Sequence, residues 1–441
     1  MRRRFAPGRP AGVLDEGIVH LDSTTEPWSV HLEVHLDGLL DGDRLRRAVE
    51  AALDRHPRAR CRLAPLSGWP RRYEWQWRPV PDLDPVDIVD ADSDEALARA
   101  RAEFLSRPIS LESSPPLRLR VARRHGGDVV MLNVHHAAGD GMAALVFLQS
   151  VARAYASRPE VVADGPRPMA RSAGWPLRTA LNELVEAVRP SVRMAPDGGH
   201  EVPGYGFHLL SLGTARTRAL LESAVGGVTV NDLLLSALHL AVATWNRDHG
   251  TPAGRISVLM PVNLRTKAQW RAGFDNLTFM VPVSSAPSDR LHLDRLVGAV
   301  ARRTREVKDR RSAAAVVTTL APLQALPLFV RRWVTRHLAH EKMRPTTLLS
   351  NLGRLEHDFD FGPGVGRPGQ VWFSPPARIP LGVAIGALTD GDQLRLTFRV
   401  RHPLLGPGAA ARFALCYPAT IDEVVAPRLN ARVSASRPQA A

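Results

Sequence analysis

The sequence contains very little cysteine, with only Cys61 and Cys416 among its 441 residues. Two cysteines are too few for the disulfide framework that stabilises small secreted domains. Neither lies beside a histidine in a recognisable nucleophile motif. The sequence therefore indicates neither a disulfide scaffold nor a cysteine-dependent enzyme, and a reducing cytoplasm suits it.

Long hydrophobic runs are also absent. No apolar run approaches the roughly 20 residues that a membrane-spanning helix needs. The basic residues at 1–4 are not followed by the continuous apolar segment of a secretory signal. We therefore predict a cytoplasmic protein, in which membrane contact is possible but not expected.

Lysine is scarce and arginine is abundant, and the formal net charge is +14. Such a charge raises the question of nucleic-acid binding. The sequence contains no zinc-finger pattern, no RNA-recognition signature and no basic stripe with interleaved aromatic residues, so we expect no nucleic-acid partner. A basic surface equally suits an acidic carrier protein or the phosphates of coenzyme A.

What the sequence does contain is a short segment at 134–141, VHHAAGDG, that brings together two histidines, a carboxylate and a glycine. This segment follows an apolar run at 129–132, typical of a buried strand, and precedes apolar residues with helical spacing at 142–156. A general base is held most precisely when rigid elements carry it and a tight turn exposes it. Histidine takes up a proton near neutral pH. The pattern therefore indicates a catalytic site in a strand–turn–helix unit.

The pattern HHxxxDG resembles the signature of a superfamily of acyltransferases. Its members include the condensation domains of nonribosomal peptide synthetases, chloramphenicol acetyltransferase, wax ester synthases and polyketide-associated acyltransferases. The resemblance runs from about residue 22 to residue 417. Its other segments are a strand at 28–36, a helix that opens at Asp43, and stretches at 58–63, 108–119, 229–235, 258–265, 276–283 and 349–354.

The resemblance implies an α/β (α+β) fold with two chloramphenicol-acetyltransferase-like lobes. Each lobe would be a mostly antiparallel sheet with flanking helices, and the two would form a V-shaped pseudo-dimer. The length agrees, because 441 residues are many for a single hydrophobic core. We predict an N-terminal lobe with the HHxxxDG motif at 1–158, a crossover at 159–206, a C-terminal lobe at 207–427 and a flexible tail at 428–441.

The resemblance also assigns roles to the motif residues. His136 is expected to be the general base, and His135 to face away from the substrate, since adjacent residues of an extended segment point to opposite sides. Asp140 is expected to pair with Arg60, which matches the family arginine, and so to hold the loop. Gly141 is expected to permit a conformation that a side chain forbids, and its N–H to help an oxyanion site.

Two further residues are candidates for binding the oxyanion or the acceptor. They are Ser350 and Asn351 in the segment LSNLGR, and a purely structural role at the end of a strand is the alternative. We expect no metal site, because adjacent histidines do not easily converge on one ion and the HExxH spacing is absent. We expect no bound cofactor either, only an acyl-CoA or acyl-carrier-protein thioester as co-substrate.

The expected function is acyl transfer from coenzyme A or a phosphopantetheinyl carrier protein to a small-molecule acceptor. A hydroxyl acceptor would give an ester and an amine would give an amide, in secondary or lipid metabolism. One alternative is a membrane-associated acyltransferase of the wax-ester or diacylglycerol type. Another is a non-catalytic condensation-like protein that docks a carrier protein.

Two amphipathic segments lie outside these motifs. Residues 177–188 carry apolar side chains at helical spacing, which predicts a helix packed on the surface, with a membrane-surface helix as the alternative. Residues 320–338 mix apolar residues with arginines and contain Pro322 and Pro327, so we predict a helix with a broken start. Packing between the lobes is favoured over membrane contact for this segment, and lining an acyl channel is the sharper alternative.

Overall fold

The computed structural model describes residues 8–66, 71–159, 176–198, 204–266, 273–309, 311–355, 359–366, 368–406 and 408–435. The strands are β1 (Arg9–Pro10), β2 (Ser29–Leu36), β3 (Cys61–Leu63), β4 (Glu74–Trp77), β5 (Val86–Asp90), β6 (Leu117–Arg123), β7 (Val129–His135), β8 (Gly204–Ser211), β9 (Ile256–Asn263), β10 (Thr278–Ser285), β11 (Thr347–Arg354), β12 (Pro368–Ser374), β13 (Val383–Asp390) and β14 (Gln393–His402). The α-helices are α1 (Val13–Leu21), α2 (Gly42–Arg55), α3 (Asp94–Ser106), α4 (Gly141–Tyr155), α5 (Pro176–Val188), α6 (Gly213–Ser223), α7 (Val230–Asp248), α8 (Leu293–Asp309), α9 (Ser312–Leu320), α10 (Leu328–His337) and α11 (Ala409–Ala435).

Two large sheets organise these elements. The first has five strands in the order β12-β2-β7-β6-β5, and only its β5–β6 pair is parallel. The second has six strands in the order β10-β9-β11-β13-β14-β8, and only β11 runs parallel to its neighbours. Helices flank each sheet, so the predicted arrangement of two mostly antiparallel lobes is confirmed.

The core of the N-terminal lobe forms as the alternation of apolar residues in β2 predicts. One face of β2 buries Val30, Leu32, Val34 and Leu36 in a cluster that also contains the inward residues of α2 and α4. The helix α2 begins where the side chain of Asp41 accepts a hydrogen bond from the backbone N–H of Arg44. Such a cap satisfies a backbone donor that the first helical turn leaves free.

The opposite face of β2 is polar and is nevertheless buried. Arg101 of α3 donates two hydrogen bonds, of 2.6 and 2.7 Å, to the carboxylate of Glu33. Phe207 of β8 packs against the edge of the His31 ring at a centroid distance of 5.8 Å. The C-terminal lobe therefore covers this face, and the paired charges allow polar residues to lie inside the protein.

One strand from the C-terminal half of the sequence belongs to the N-terminal sheet. The strand β12 lies in the C-terminal half of the sequence but pairs with β2 of the N-terminal sheet, with Val371 opposite Val34 and Phe373 opposite Leu32. No sequence pattern indicates this exchange, which brings Phe373 beside the HHxxxDG turn.

The predicted crossover and tail are partly helical. Within 159–206, α5 packs against α9, and residues 160–175 and 199–203 lie outside the described residues. The flexible tail predicted from residue 428 is instead helical as far as Ala435, at the end of α11. Arg428 anchors this end, because its side chain donates hydrogen bonds to the backbone oxygens of Ser223 and Val225. Among the described helices, none combines the length and apolar composition needed to cross a bilayer.

Candidate active site

The HHxxxDG residues form the turn between β7 and α4, as the sequence predicts. The backbone oxygen of His135 accepts hydrogen bonds from the N–H groups of Ala138 (2.9 Å) and Gly139 (3.1 Å), which closes a tight turn. All seven residues of β7 are buried. The turn is therefore held between two rigid elements, which fixes the direction of the side chains that it carries.

His136 lies in a buried environment next to Trp28. Its backbone N–H donates to the backbone oxygen of Trp28 at 2.7 Å, and the two rings meet edge to face at 6.2 Å. Burial lowers the pKa of His136 below 6.5, against smaller opposing effects of its own backbone carbonyl and of Asp140. The imidazole is therefore mostly neutral at neutral pH, which is the state that a general base requires.

His135 makes contacts that differ from those of His136. Its Nδ1 accepts a hydrogen bond of 3.1 Å from the backbone N–H of Ala137, and its Nε2 lies 3.4 Å from the carboxylate of Asp22. Asp22 also accepts a hydrogen bond of 2.9 Å from the backbone N–H of Trp28. His135 thus ties the turn to the segment that carries the aromatic neighbour of His136.

Asp140 holds two parts of the chain together, but its partner is not the predicted one. Its Oδ1 caps α4 by accepting from the N–H of Ala143 at 3.0 Å. Its Oδ2 accepts from Arg265 at 2.6 Å and from Leu277 and Thr278 at 2.9 Å each. Although burial alone would raise the pKa of Asp140, Arg265 and these donors hold it below its ordinary value.

The predicted pairing of Asp140 with Arg60 is wrong. The guanidinium of Arg60 pairs with Glu50 and with Asp54 (3.0 Å), and it donates to the backbone oxygen of Pro79. Both carboxylates belong to α2, which ends just before Arg60, so the side chain folds back along its own helix. The cation at Asp140 comes instead from the C-terminal lobe, in the segment that follows β9.

A cavity opens in front of His136. Both lobes contribute to it, and the structure brings Ser350 and Asn351 of β11 to the same cavity as His136, Asp140 and Gly141. The remaining lining residues are mostly apolar: Val30, Met142, Pro261, Asn263, Thr278, Met280, Leu352, Phe373, Pro375 and Pro376. Such a lining excludes water from a reacting centre and leaves few polar groups to orient a substrate.

Comparisons with known proteins agree with this architecture. A family model described as the condensation domain matches residues 18–164. The uncharacterised protein Rv2305 of Mycobacterium tuberculosis is 33% identical over 426 residues, which cover 92% of this chain and 97% of that protein. The chain belongs to the condensation-domain family.

Other similarities extend this assignment. Tyrocidine synthase 3 of Brevibacillus parabrevis is 25% identical over 292 residues, which cover 58% of this chain and 4% of the synthase. The first condensation domain of the calcium-dependent antibiotic synthetase superposes with a TM-score of 0.72 at 15% identity, covering 96% of this chain and 97% of that one. The epimerization domain from the third module of tyrocidine synthetase B gives a TM-score of 0.65 at 17% identity, covering 98% and 100%. The two solved structures establish the two-lobe fold, and the family supports a general role in acyl transfer or condensation.

Gly141 of this condensation-domain protein is required for a different reason from the predicted one. It is the first residue of α4 and does not adopt a left-handed conformation. A Cβ atom at this position would instead lie 2.9 Å from the side chains of both Leu352 and Phe373. A larger residue here would therefore force these side chains, one from β11 and the other from β12, to move.

Asn263 is a site residue that the sequence reasoning did not single out, although it lies in the quoted segment 258–265. Its Oδ1 accepts from the backbone N–H of Arg265 at 2.9 Å and faces the Arg265 guanidinium at 3.5 Å. Because both neighbours are donors, the orientation of the amide is fixed. The Nδ2 atom is left buried, with no hydrogen-bond partner in the part of the chain that the structure describes, and Asn263 lines the His136 cavity.

Proposed function

We propose that this protein transfers an acyl group from a thioester, carried by coenzyme A or by a carrier protein, to a hydroxyl or an amine. The observation that supports the proposal is a neutral, buried imidazole at a mostly apolar cavity between two lobes. A thioester needs little further activation, because a thiol is a good leaving group. The acceptor, by contrast, must lose a proton as it attacks.

In the proposed reaction His136 moves this proton. The Nδ1 atom of His136 is buried, so Nε2 is the nitrogen assigned to the acceptor. As the acceptor oxygen or nitrogen bonds to the thioester carbon, its proton passes to Nε2 and an oxyanion forms. The intermediate then collapses, the carbon–sulfur bond breaks, and the proton returns from Nε2 to the sulfur. The products are an ester or an amide and a free thiol.

Such a reaction also needs a rigid turn, a donor to the oxyanion and groups that contact the acceptor, and we assign these to neighbours of His136. The carboxylate of Asp140 is paired with Arg265, so we do not assign it to orient His136 as the aspartate of a catalytic triad does. Its contribution is to fix the turn against β9, which ends at Asn263, and β10, which begins at Thr278. We assign oxyanion binding first to Asn263, whose Nδ2 is a donor without a partner among the described residues. Because this atom is buried, the residues around the cavity must move on substrate binding for the oxyanion to reach it. Ser350 and Asn351 remain candidates for contacts with the acceptor.

The proposal is tested by incubating the protein with acyl-CoA and acyl-carrier-protein donors and a mixture of alcohols and amines. Mass spectrometry identifies the product, and therefore the donor class and the type of bond. An ester or amide that requires the protein is the expected result. Carrier-protein binding without any transfer, across a broad donor and acceptor panel, would favour the non-catalytic docking alternative.

The pH dependence of kcat/KM gives a further prediction. A base acts when neutral, so activity is lost as falling pH protonates His136. Because burial lowers the pKa of His136 below 6.5, we expect full activity at pH 7 and an acid limb centred below pH 6.5. A limb centred above pH 7 in the free enzyme would contradict this assignment of the base.

Substitution of Asn263 tests the oxyanion assignment. We expect Asn263→Asp to lower kcat by about 10²-fold with little change in KM, because it removes the donor and places a carboxylate near the oxyanion. The substitution keeps the Oδ1 acceptor that the backbone N–H of Arg265 uses, but it buries a second carboxylate beside Asp140, so the thermal midpoint should fall as well. Loss of folding with unchanged kcat in the remaining folded fraction would show that Asn263 acts only in structure.

A further inference from the structure

Two segments, one in the crossover and one in the C-terminal lobe, expose large apolar side chains. In the segment that runs from a 3-10 turn (Ala321–Ala325) through α10, Phe329 and Trp333 are 66% and 65% exposed. The helix α5 exposes a row at spacings of four residues, and α5 packs along α9, which leads directly into the 3-10 turn. We call these exposed side chains together the apolar face: Leu177, Leu181, Val185, Leu323, Leu326, Phe329 and Trp333.

The orientation of α10 is fixed by its inner side. Arg331 is buried and pairs with Glu16 of α1 at 2.8 Å. The Nε atom of Arg336 donates to the backbone oxygen of His20, also in α1, at 2.8 Å. The inner side of α10 therefore packs against α1 of the N-terminal lobe, and packing between the lobes stays a prediction. Phe329 and Trp333, which lie four residues apart, are held on the outer side as a consequence.

The orientation of α5 is fixed in the same way. Its two carboxylates turn inward, where Glu183 pairs with Arg303 at 2.6 Å and Glu186 pairs with Arg255. Ala180 is fully buried against the same side. The outward side of α5 is left with apolar residues and with exposed Arg178 and Asn182.

The charged side chains of the α10 segment are positive. Residues 312–340 contain no aspartate or glutamate. Arg332 is exposed next to Trp333, and Arg336 is also exposed although its Nε donates to the backbone oxygen of His20. Aromatic and aliphatic side chains flanked by arginines are typical of helices that lie in the interface of a bilayer. Anionic headgroups would pair with the arginines, and the acyl region would take up the apolar side chains.

We propose that the apolar face binds the surface of an anionic phospholipid bilayer. The binding is peripheral, with α5 and α10 lying along the membrane. The face is linked to the catalytic turn through α1: Glu16 pairs with Arg331 of α10, while the adjacent Asp15 pairs with Arg58, which donates to the backbone oxygen of Ala137. A bilayer at this face would thus lie on the opposite side of α10 from the helix that supports the turn. The inference does not depend on which acyl group the site transfers.

Co-sedimentation of the full chain with lipid vesicles tests the proposal. We expect binding to vesicles that contain phosphatidylglycerol, and weaker binding to vesicles of phosphatidylcholine alone. Raising sodium chloride from about 0.1 to about 0.5 M should weaken the binding, because salt screens the arginines. The double variant Phe329→Glu/Trp333→Glu should reduce the partition coefficient at least about tenfold. A second double variant, Leu181→Glu/Val185→Glu, should act in the same direction.

The matched control is Leu415→Glu, because Leu415 is 70% exposed on α11 and lies outside the apolar face. It should bind vesicles as the wild type does, and circular dichroism should show that all variants are folded. Equal binding by the wild type and both double variants would overturn the proposal, as would failure of the wild type to bind phosphatidylglycerol. Loss of carrier-protein binding in the variants, with vesicle binding unchanged, would also overturn it and would make the face a protein-docking site.

Discussion

Replacing His136 with alanine should lower the rate of acyl transfer by about 10²–10⁴-fold while leaving the protein folded. The side chain supplies the neutral nitrogen that takes the acceptor proton, and no second base is assigned to the cavity. The ring makes an aromatic contact with Trp28, so some loss of stability is expected as well. Initial rates measured by mass spectrometry, together with a thermal melt, separate these two effects.

The control for this experiment is His135, which has the same chemistry and a different orientation. His135→Asn removes the ring that accepts from Ala137 and approaches Asp22. We expect it to affect stability more than the chemical step, so that rates per folded molecule stay within about tenfold of the wild type. Wild-type turnover in folded His136→Ala would show that the proton leaves by another route.

Replacing Arg265 with alanine should lower the free energy of unfolding by about 3–5 kcal/mol, because it leaves the carboxylate of Asp140 buried without its cation. The two side chains are only 1% and 2% exposed, so water cannot take over the lost pairing. The remaining donors to Asp140, from Ala143, Leu277 and Thr278, reduce the cost but carry no charge. Denaturant titration measures the change.

Arg60→Ala is the matched control, since it removes the arginine that the resemblance assigned to Asp140. The carboxylates that pair with Arg60 are exposed, Glu50 by 52% and Asp54 by 68%, and water can solvate them. We expect a loss of about 1 kcal/mol, well below that of Arg265→Ala. If Arg60→Ala were the more damaging variant, the assignment of Asp140 to Arg265 would be wrong.

The elements that the sequence predicts well are those in which local pattern and burial coincide. The alternation in β2 and the apolar positions of α2 identify their core faces, because each pattern has one period and one buried side. The HHxxxDG turn is located for the same reason, since a buried strand and an apolar helix enclose it. Resemblance then supplies what periodicity does not, namely the role expected of His136 and the two-lobe fold.

The features that escaped prediction depend on contacts between distant parts of the chain. The partner of Asp140 lies 125 residues away in sequence, and nothing local to either residue encodes the pairing. The true partners of Arg60 are only 10 and 6 residues away on the preceding helix, and this local signal was available. The sequence shows that residues 320–338 mix apolar residues with arginines, but it does not reveal that Trp333 is left uncovered.

The strand β12 has a consequence for biosynthesis. Its partner β2 emerges early from the ribosome, whereas β12 is complete only when residue 374 has been made. Until then the N-terminal sheet has an unpaired edge at β2, and such edges are prone to pair with other chains. The N-terminal sheet therefore stays incomplete until β12 has been synthesised. The two lobes therefore do not fold as independent domains, because the N-terminal sheet needs a strand from the C-terminal half.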